Sequence, residues 1–438
     1  MDDAPTWPER FIYVCNAGGA MIVNLAPLLH AGKEHVAGVM ILQGLSNPKS
    51  PTGSDQTHSL WPSGRLNRYA TKVVGLPEER IRCFSGNGDL LSDWSSILNE
   101  AQAWAEELGI ADVVYNVSGG RKPCTLGALL GMRQSAASVR VSLISVGQEP
   151  FDVRLIRLNG NEGAISENIL PVEARLSLDD YLTTYDFPER DKGDRLLRQS
   201  QALDASRFGQ GILNWVDGPE REHAKWAISA LHFAMGGDRG RGPKPPFDLK
   251  LSNIDDSKVR KNLSRALDKI GEIGFAGVRD VELLRDGETV AGLRVMSAAA
   301  QALLGGTWLE AAMYARLRDK IKHRLDVELA AGVNLPAAGD VDTGELDLVA
   351  LHNDRLQIVE IKAWTVIKGL HGELAKLANR KMMLAGQRGP AWLVAPLLDR
   401  RQVSAARLDD AASKLTVELH YGRGAVDRFI GAICKEFR

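Results

Sequence analysis

The chain has 438 residues, 44% hydrophobic and 25% charged, a globular composition sufficient for roughly three domains of about 150 residues, which excludes collagenous, disulfide-dense and disordered classes. Fifty-four Lys and Arg stand against 55 Asp and Glu, so there is no global attraction for polyanions and any nucleic-acid contact must be a local patch. The start, Met1-Asp2-Asp3-Ala4-Pro5, is acidic, and no apolar run approaches the ~18 residues of a membrane span, so a soluble cytoplasmic protein with no membrane partner is expected.

From Phe11 to about Gly147, short apolar runs alternate with helical patterns, the rhythm of a parallel α/β sheet. Strands are expected at Phe11 to Cys15, Val36 to Leu42, Ile81 to Phe84, Val113 to Val117 and Val139 to Val146, with helices at Met21 to His30, Gly64 to Val74, Ser92 to Leu108 and Thr125 to Ser135. Near-continuous runs such as Val113-Val114-Tyr115-Asn116-Val117 suit strands buried on both faces, so a Rossmann-like domain is expected over 1–150. The Ser-, Pro- and Gly-rich stretch Asn47 to Trp61 reads as a long loop near the strand ends. Cys15, Cys83, Cys124 and Cys434 stand far apart, which excludes zinc and redox motifs and points to buried thiols.

Two glycine turns leave this sheet. Asn16-Ala17-Gly18-Gly19-Ala20 follows the first strand, and Ser118-Gly119-Gly120-Arg121-Lys122-Pro123 joins a buried strand to a helix. Parallel strands end on one side, so both turns are placed to line one pocket. Glycines admit a ligand to the backbone, free amides at a helix start favour anions, and Arg121 and Lys122 add positive charge, so a phosphate-bearing ligand fits. A plain tight turn with two exposed basic side chains is the alternative.

A connector is expected over 151–295. It holds a weak pattern to Arg190, a helical stretch Arg195 to Phe233, and the loop Gly236 to Pro246, which can be a basic surface or a solvated connector. A helix Asp256 to Ile273 follows, then a hairpin turning at Asp286-Gly287. An α/β end domain over 296–438 contains a helix from Thr307 to about Val327, strands Glu345 to Leu351 and Leu356 to Lys362, a helix Gly372 to Leu384 and a strand Trp392 to Ala395.

The segment Gly344 to Trp364 carries the chemistry. If its short turn sets an antiparallel register, Leu351 pairs with Leu356, Asp347 with Glu360 and Glu345 with Lys362. Facing carboxylates would have Cβ atoms about 4.5–5.5 Å apart, which destabilises a sheet unless a cation or proton neutralises them. A hard divalent cation, magnesium or manganese, meets that demand and leaves positions for water and phosphate. Lys362 is placed to assist an attacking water or stabilise phosphate charge, and Glu310 to join the site. The alternative is an exposed hairpin in which Glu345 and Lys362 form a salt pair and Asp347 and Glu360 are solvated. Lys376 and Lys381 on the next helix either face a phosphate backbone or are solvated.

Asp347 followed by Glu360-Ile361-Lys362 resembles the PD-(D/E)xK motif of restriction-endonuclease-like nucleases, with Leu346 in place of the usual Pro and Glu310 on a matching acidic first helix. That resemblance implies metal binding by Asp347 and Glu360 and assistance to water by Lys362. Asn116 to Gly120 with Lys122 resemble the glycine-turn signature of the CRISPR-associated Rossmann fold (CARF), with Arg121 where Thr is usual. Together the two halves resemble the CARF nucleases of type III CRISPR antiviral defence. The resemblance implies a homodimer whose sensor domains bind a cyclic oligoadenylate, most often cyclic tetra-adenylate, through Asn16, Gly18, Gly19, Ser118, Gly119, Gly120, Arg121 and Lys122. Binding would switch on a metal-dependent endonuclease that cuts DNA or RNA with little sequence preference. The rival readings are a ligand-gated DNA-binding regulator and an ungated resolvase-like repair nuclease.

Overall fold

The computed structural model describes residues 7–16, 22–43, 62–85, 90–118, 139–146, 153–159, 164–170, 176–183, 204–236, 242–275, 278–334, 345–353, 355–363, 369–385, 389–398 and 405–437. Strands β1 (Phe11–Asn16), β2 (Val36–Gln43), β3 (Ile81–Ser85), β4 (Asp112–Asn116), β5 (Arg140–Val146), β6 (Val153–Asn159) and β7 (Ala164–Leu170) form one sheet in the order β3-β2-β1-β4-β5-β6-β7. The first five run parallel, and β6 and β7 add antiparallel. Every residue of β1 and β4 is buried, as expected of central strands covered on both faces. Because β1 pairs in parallel with β4, Val14 beside Tyr115, the two glycine turns leave neighbouring strand ends. Cys15 is buried, but Cys83 is exposed because β3 is an edge strand. The expected helix at 125–135, the loop at 47–61 and Cys124 lie outside the described residues.

The weak pattern after residue 150 conceals β6 and β7. In them Arg154 and Glu167 pair across the ladder at 3.0 Å, and the alternating polar residues mask the strands. Further on, helices Ser206–Asp217 and Arg221–Ala234 pack with helix Ser257–Ile273. Asp256 caps the last of these, its carboxylate accepting from the amides of Lys258 at 2.8 Å and Val259 at 3.0 Å. The small sheet β8 (Phe247–Lys250), β9 (Val281–Asp286) and β10 (Thr289–Val295) is ordered β8-β10-β9. Its hairpin turns at Gly287, φ 64°, where a β-carbon would be strained.

The end sheet is β11 (Val327–Asn334), β12 (Glu345–His352), β13 (Arg355–Ile361), β14 (Ala391–Ala395) and β15 (Val417–Tyr421), in sequential order. The helix expected to run to Val327 ends at Ile321, and β11 follows. Glu328-Leu329-Ala330-Ala331 has little intrinsic preference for a strand, so pairing with β12 decides its state. Both faces of the sheet are covered: Val349, Leu351, Leu356 and Ile358 join a core with helix Leu370–Leu384, and Leu348, Ala350, Val359 and Ile361 join another with helix Trp308–Ile321. The reading of an exposed hairpin is thus overturned. Helix Leu178–Thr183 ties the first sheet to the last, the Leu178 amide donating to Glu328 at 2.9 Å and the Tyr181 hydroxyl to the Leu384 carbonyl. Among the described residues no helix is long and apolar enough to cross a membrane.

Gly209 lies against the backbone of buried Trp308, where a β-carbon would meet the Trp308 carbonyl oxygen. Gly209→Ala should therefore destabilise the chain by about 1–3 kcal/mol. Gly431→Ala, with nothing within 4 Å of the new β-carbon, should stabilise by about 0.5–1 kcal/mol. Urea midpoints of the two variants moving in the same direction would refute this packing.

Candidate nuclease site

The site begins with a kink. Before helix Trp308–Ile321 the chain winds into a π turn, Leu303–Thr307, in which Gly306 has φ 157°, a conformation suited to glycine. Glu310 therefore sits in the first turn of the helix that follows, and the apolar residues Leu309, Ala312 and Met313 fix that helix in the core. Across from it, β12 and β13 pair from His352–Arg355 to Leu348–Val359, with Leu351 opposite Leu356, the register expected from sequence. This register places Asp347 and Glu360 at the open end of the ladder.

There the carboxylates take separate partners. Asp347 accepts from the Ile361 amide at 2.5 Å. Glu360 is held between Lys362 at 2.7 Å and Arg380 at 3.0 Å. Lys362 also reaches Glu373 at 3.5 Å, so it pairs with Glu360 and Glu373, whereas the alternative reading of the hairpin pairs it with Glu345. Arg380 donates in addition to the Glu345 carbonyl at 3.1 Å, joining the following helix to the β12 end.

Electrostatics mark the cluster. Burial, reinforced by Glu345 and Glu360 and opposed by Lys362, pushes the Glu310 carboxyl up to about 8. Burial also holds Asp347 well above the usual carboxylate range, with Glu310 and Glu360 adding repulsion and Lys362 and the Ile361 amide opposing it. For Lys362 burial pulls the ammonium down, but Glu360 and Asp347 together outweigh it, leaving a net upward shift. Such desolvated, mutually repelling acids favour a proton or an added cation. Glu310, Asp347 and Lys362 line a cleft of about 550 Å³ that His232 and Lys244 also line.

The structure therefore brings together the four residues singled out from the acidic hairpin and its upstream helix. Sequence reasoning missed Arg380 and Glu373. They lie seven residues apart, two turns on one face of helix Leu370–Leu384, and that spacing was the available signal. Lys381 faces neither phosphate nor solvent: it is buried, donating to the Thr416 carbonyl at 3.0 Å and hydroxyl at 2.9 Å.

At the other sheet the turns are underpinned by neutral polar groups. Asn116, fully buried, donates to the Tyr13 hydroxyl at 2.7 Å and to Asn24 at 3.0 Å, and its oxygen accepts from the Ser118 amide at 2.9 Å. Asn24 donates to the Asn16 carbonyl at 2.8 Å, which links the two strand ends. The Ser118 hydroxyl accepts from the Val146 amide at 2.6 Å, so this group serves the turn's anchorage to β5. Gly18, Gly19, Gly119, Gly120, Arg121 and Lys122 lie outside the described residues. Asn24 and Tyr13 escaped the sequence reading because an apolar strand and helix carried them.

Residues 297–412 match the family model of the Card1-like endonuclease domain. A search of curated proteins finds no match. Among solved structures, the crystal structure of protein VC1899 from Vibrio cholerae aligns at 17% identity and TM-score 0.60, covering 97% of each chain. Can2 from Sulfobacillus thermosulfidooxidans, solved in complex with cyclic tetra-adenylate, aligns at 16% identity and TM-score 0.59, covering 98% of this chain and 100% of Can2. The shared architecture is the mixed α/β organisation expected from sequence, a largely parallel Rossmann-like sheet ahead of the end sheet.

Glu310 has its folded titration near 8 against an ordinary 4.5. Its contribution to stability is therefore fully present below about 4.5 and lost as pH rises through about 8. In metal-free buffer, Glu310→Gln should gain in melting temperature on the parent across that window. A difference that stays constant with pH would contradict the burial assigned to Glu310.

Proposed function

We propose that the chain is a cyclic-oligoadenylate-activated, metal-dependent endonuclease of type III CRISPR defence. In this reading it has a CARF-like sensor over 1–150, a connector over 151–295 and a restriction-endonuclease-like nuclease domain over 296–438. The observation that carries the reading is the convergence of Glu310, Asp347 and Lys362 on one cleft, with Glu360 buried behind it and paired to Lys362, inside the segment that matches an endonuclease model.

The donor set fits a hard divalent cation. Carboxylate oxygens are its preferred ligands, and each carboxylate has lone pairs beyond those its present partners use. Among the described residues no three His, Cys, Asp or Glu side chains are placed together so as to hold a metal ion, so a cation on Asp347 and Glu360 would leave the rest of its coordination to water, as magnesium and manganese commonly do. Asp347 and Glu360 would hold it, with Glu310 beside them. The cation would supply Lewis acidity and lower the pKa of water. The chain's own groups do the rest. Lys362, kept charged by Glu360 and Asp347, orients a water or steadies negative charge on the phosphate. Arg380 fixes Glu360 from beneath, and the amide of Ile361 holds Asp347 in place.

For the sensor, support comes from the fold shared with a protein solved with cyclic tetra-adenylate and from the Asn16–Asn24–Asn116 network beneath the paired turns. Asn16, Gly18, Gly19 and Ser118 to Lys122 would contact the ligand directly or through their backbone. A homodimer placing two such turns around one cyclic ligand would give the differential affinity that activation requires.

The test is cleavage of RNA, single-stranded DNA and supercoiled plasmid in manganese or magnesium, with and without cyclic tetra-adenylate. Asp347→Ala and Glu360→Gln should each lower the rate by about 10²–10³-fold, and EDTA should abolish cleavage. Full activity in both variants would refute the site, and cleavage indifferent to the cyclic nucleotide would refute the sensor.

A further inference from the structure

The loop that sequence leaves open between a basic surface and a solvated connector ends in a strap, Gly242 to Pro246, along the wall of the nuclease cleft. Gln301 pins it. The Gln301 side-chain amide donates to the Met235 carbonyl at 2.7 Å and to the Pro243 carbonyl at 3.0 Å, tying the strap to the end of helix Arg221–Ala234. Gly242 allows the contact to be tight: a β-carbon there would come within 2.5 Å of the Met235 oxygen and 2.8 Å of the Gln301 nitrogen. Gln301 is itself positioned by the short helix Ala298–Ala302, whose start Ser297 caps through the Ala300 amide.

The strap presents Lys244 to the cleft that Glu310 and Asp347 line. Lys362 in that cleft is committed to Glu360 and Glu373, and His232 to the Gly305 carbonyl. Lys244 is exposed and makes no ion pair or hydrogen bond with any described residue. Protons or a divalent cation offset the cleft's own carboxylates, but a flanking phosphate of a polyanionic strand calls for a cation not already neutralised by a protein carboxylate. A flexible ammonium on a pinned backbone meets that requirement as a point charge for a phosphate. The volume, about 550 Å³, lies in the ~300–1,000 Å³ range of pockets that take small ligands.

We infer that Lys244 grips a backbone phosphate of the nucleic-acid strand beside the scissile one, and that Gln301 is the positioning residue that holds the strap in place for it. The connector then contributes a binding residue to the nuclease cleft. This rests on the nuclease reading above.

The test uses the full chain carrying Asp347→Ala, so that binding is read without cleavage, and fluorescent single-stranded DNA and RNA oligonucleotides titrated between 50 and 200 mM salt, a range over which phosphate contacts respond strongly. Adding Lys244→Ala should weaken binding about three- to tenfold and reduce the slope of log affinity against log salt by about 0.7, the loss of one phosphate contact on a single strand. Lys244→Arg should restore both and Lys244→Gln neither. Gln301→Leu, which leaves the charge in place and frees the strap, should weaken binding in the same direction. In the chain with Asp347 intact, Lys244→Ala should raise KM and leave kcat within about twofold. Unchanged affinity and slope on adding Lys244→Ala, with the chain that keeps Asp347 still cleaving, would overturn this inference alone. A parent that neither binds nor cleaves any nucleic acid would overturn the nuclease reading and this inference with it.

Discussion

Acidic side chains crowded at the end of a well-buried sheet are the constraint around which the C-terminal half is arranged. Glu310, Asp347 and Glu360 come from three elements, and burial, reinforced by repulsion among neighbouring acids, raises the first two above ordinary carboxylates. A protein keeps such an arrangement only where surrounding packing over-determines it. Here the packing is the double-sided core of β12 and β13, with one helix layer on each face. Arg380, Lys362 and the Ile361 amide compensate part of the repulsion. The remainder leaves the cluster suited to binding positive charge.

The first sheet solves a different problem by different means. At the ends of β1 and β4 lie buried amides and a phenol in place of charges, each satisfied by another: Asn116 with Tyr13 and Asn24, and Asn24 with Asn16. A neutral network costs far less to bury than ions and still fixes the geometry of two strand ends. Rigidity is thereby built into the ends of β1 and β4.

The elements between these centres are mechanical as well as connective. Tyr181 and the amide of Leu178 fasten the segment after the first sheet to the nuclease sheet. Gly209 packs directly against the Trp308 backbone, at the start of the helix that carries Glu310. His232 meets the Gly305 carbonyl at the kink itself. Movements of the connector helices would therefore reach the π turn, and through it the acid at the cleft, by direct contact.

What the sequence determined by itself was whatever depends on short-range pattern. Near-continuous apolar runs specified β1 and β4, the short turn after His352 specified the register of the acidic hairpin and period-two alternation its faces, and Asp256 and the Asp286-Gly287 turn marked a helix start and a hairpin. Tertiary structure alone decided the rest. β11 is a strand because β12 pairs with it, against a composition without strand preference. β6 and β7 hide polar alternation at the edge of a sheet. Arg380, Lys381 and Lys244 are indistinguishable in sequence from solvated basic residues, and only packing makes one a buried partner of Glu360, one a clip on Thr416 and one a cation on the cleft wall. Local pattern fixes the direction a side chain leaves the backbone, whereas its partner and its solvation depend on elements distant in the chain, which pattern cannot encode.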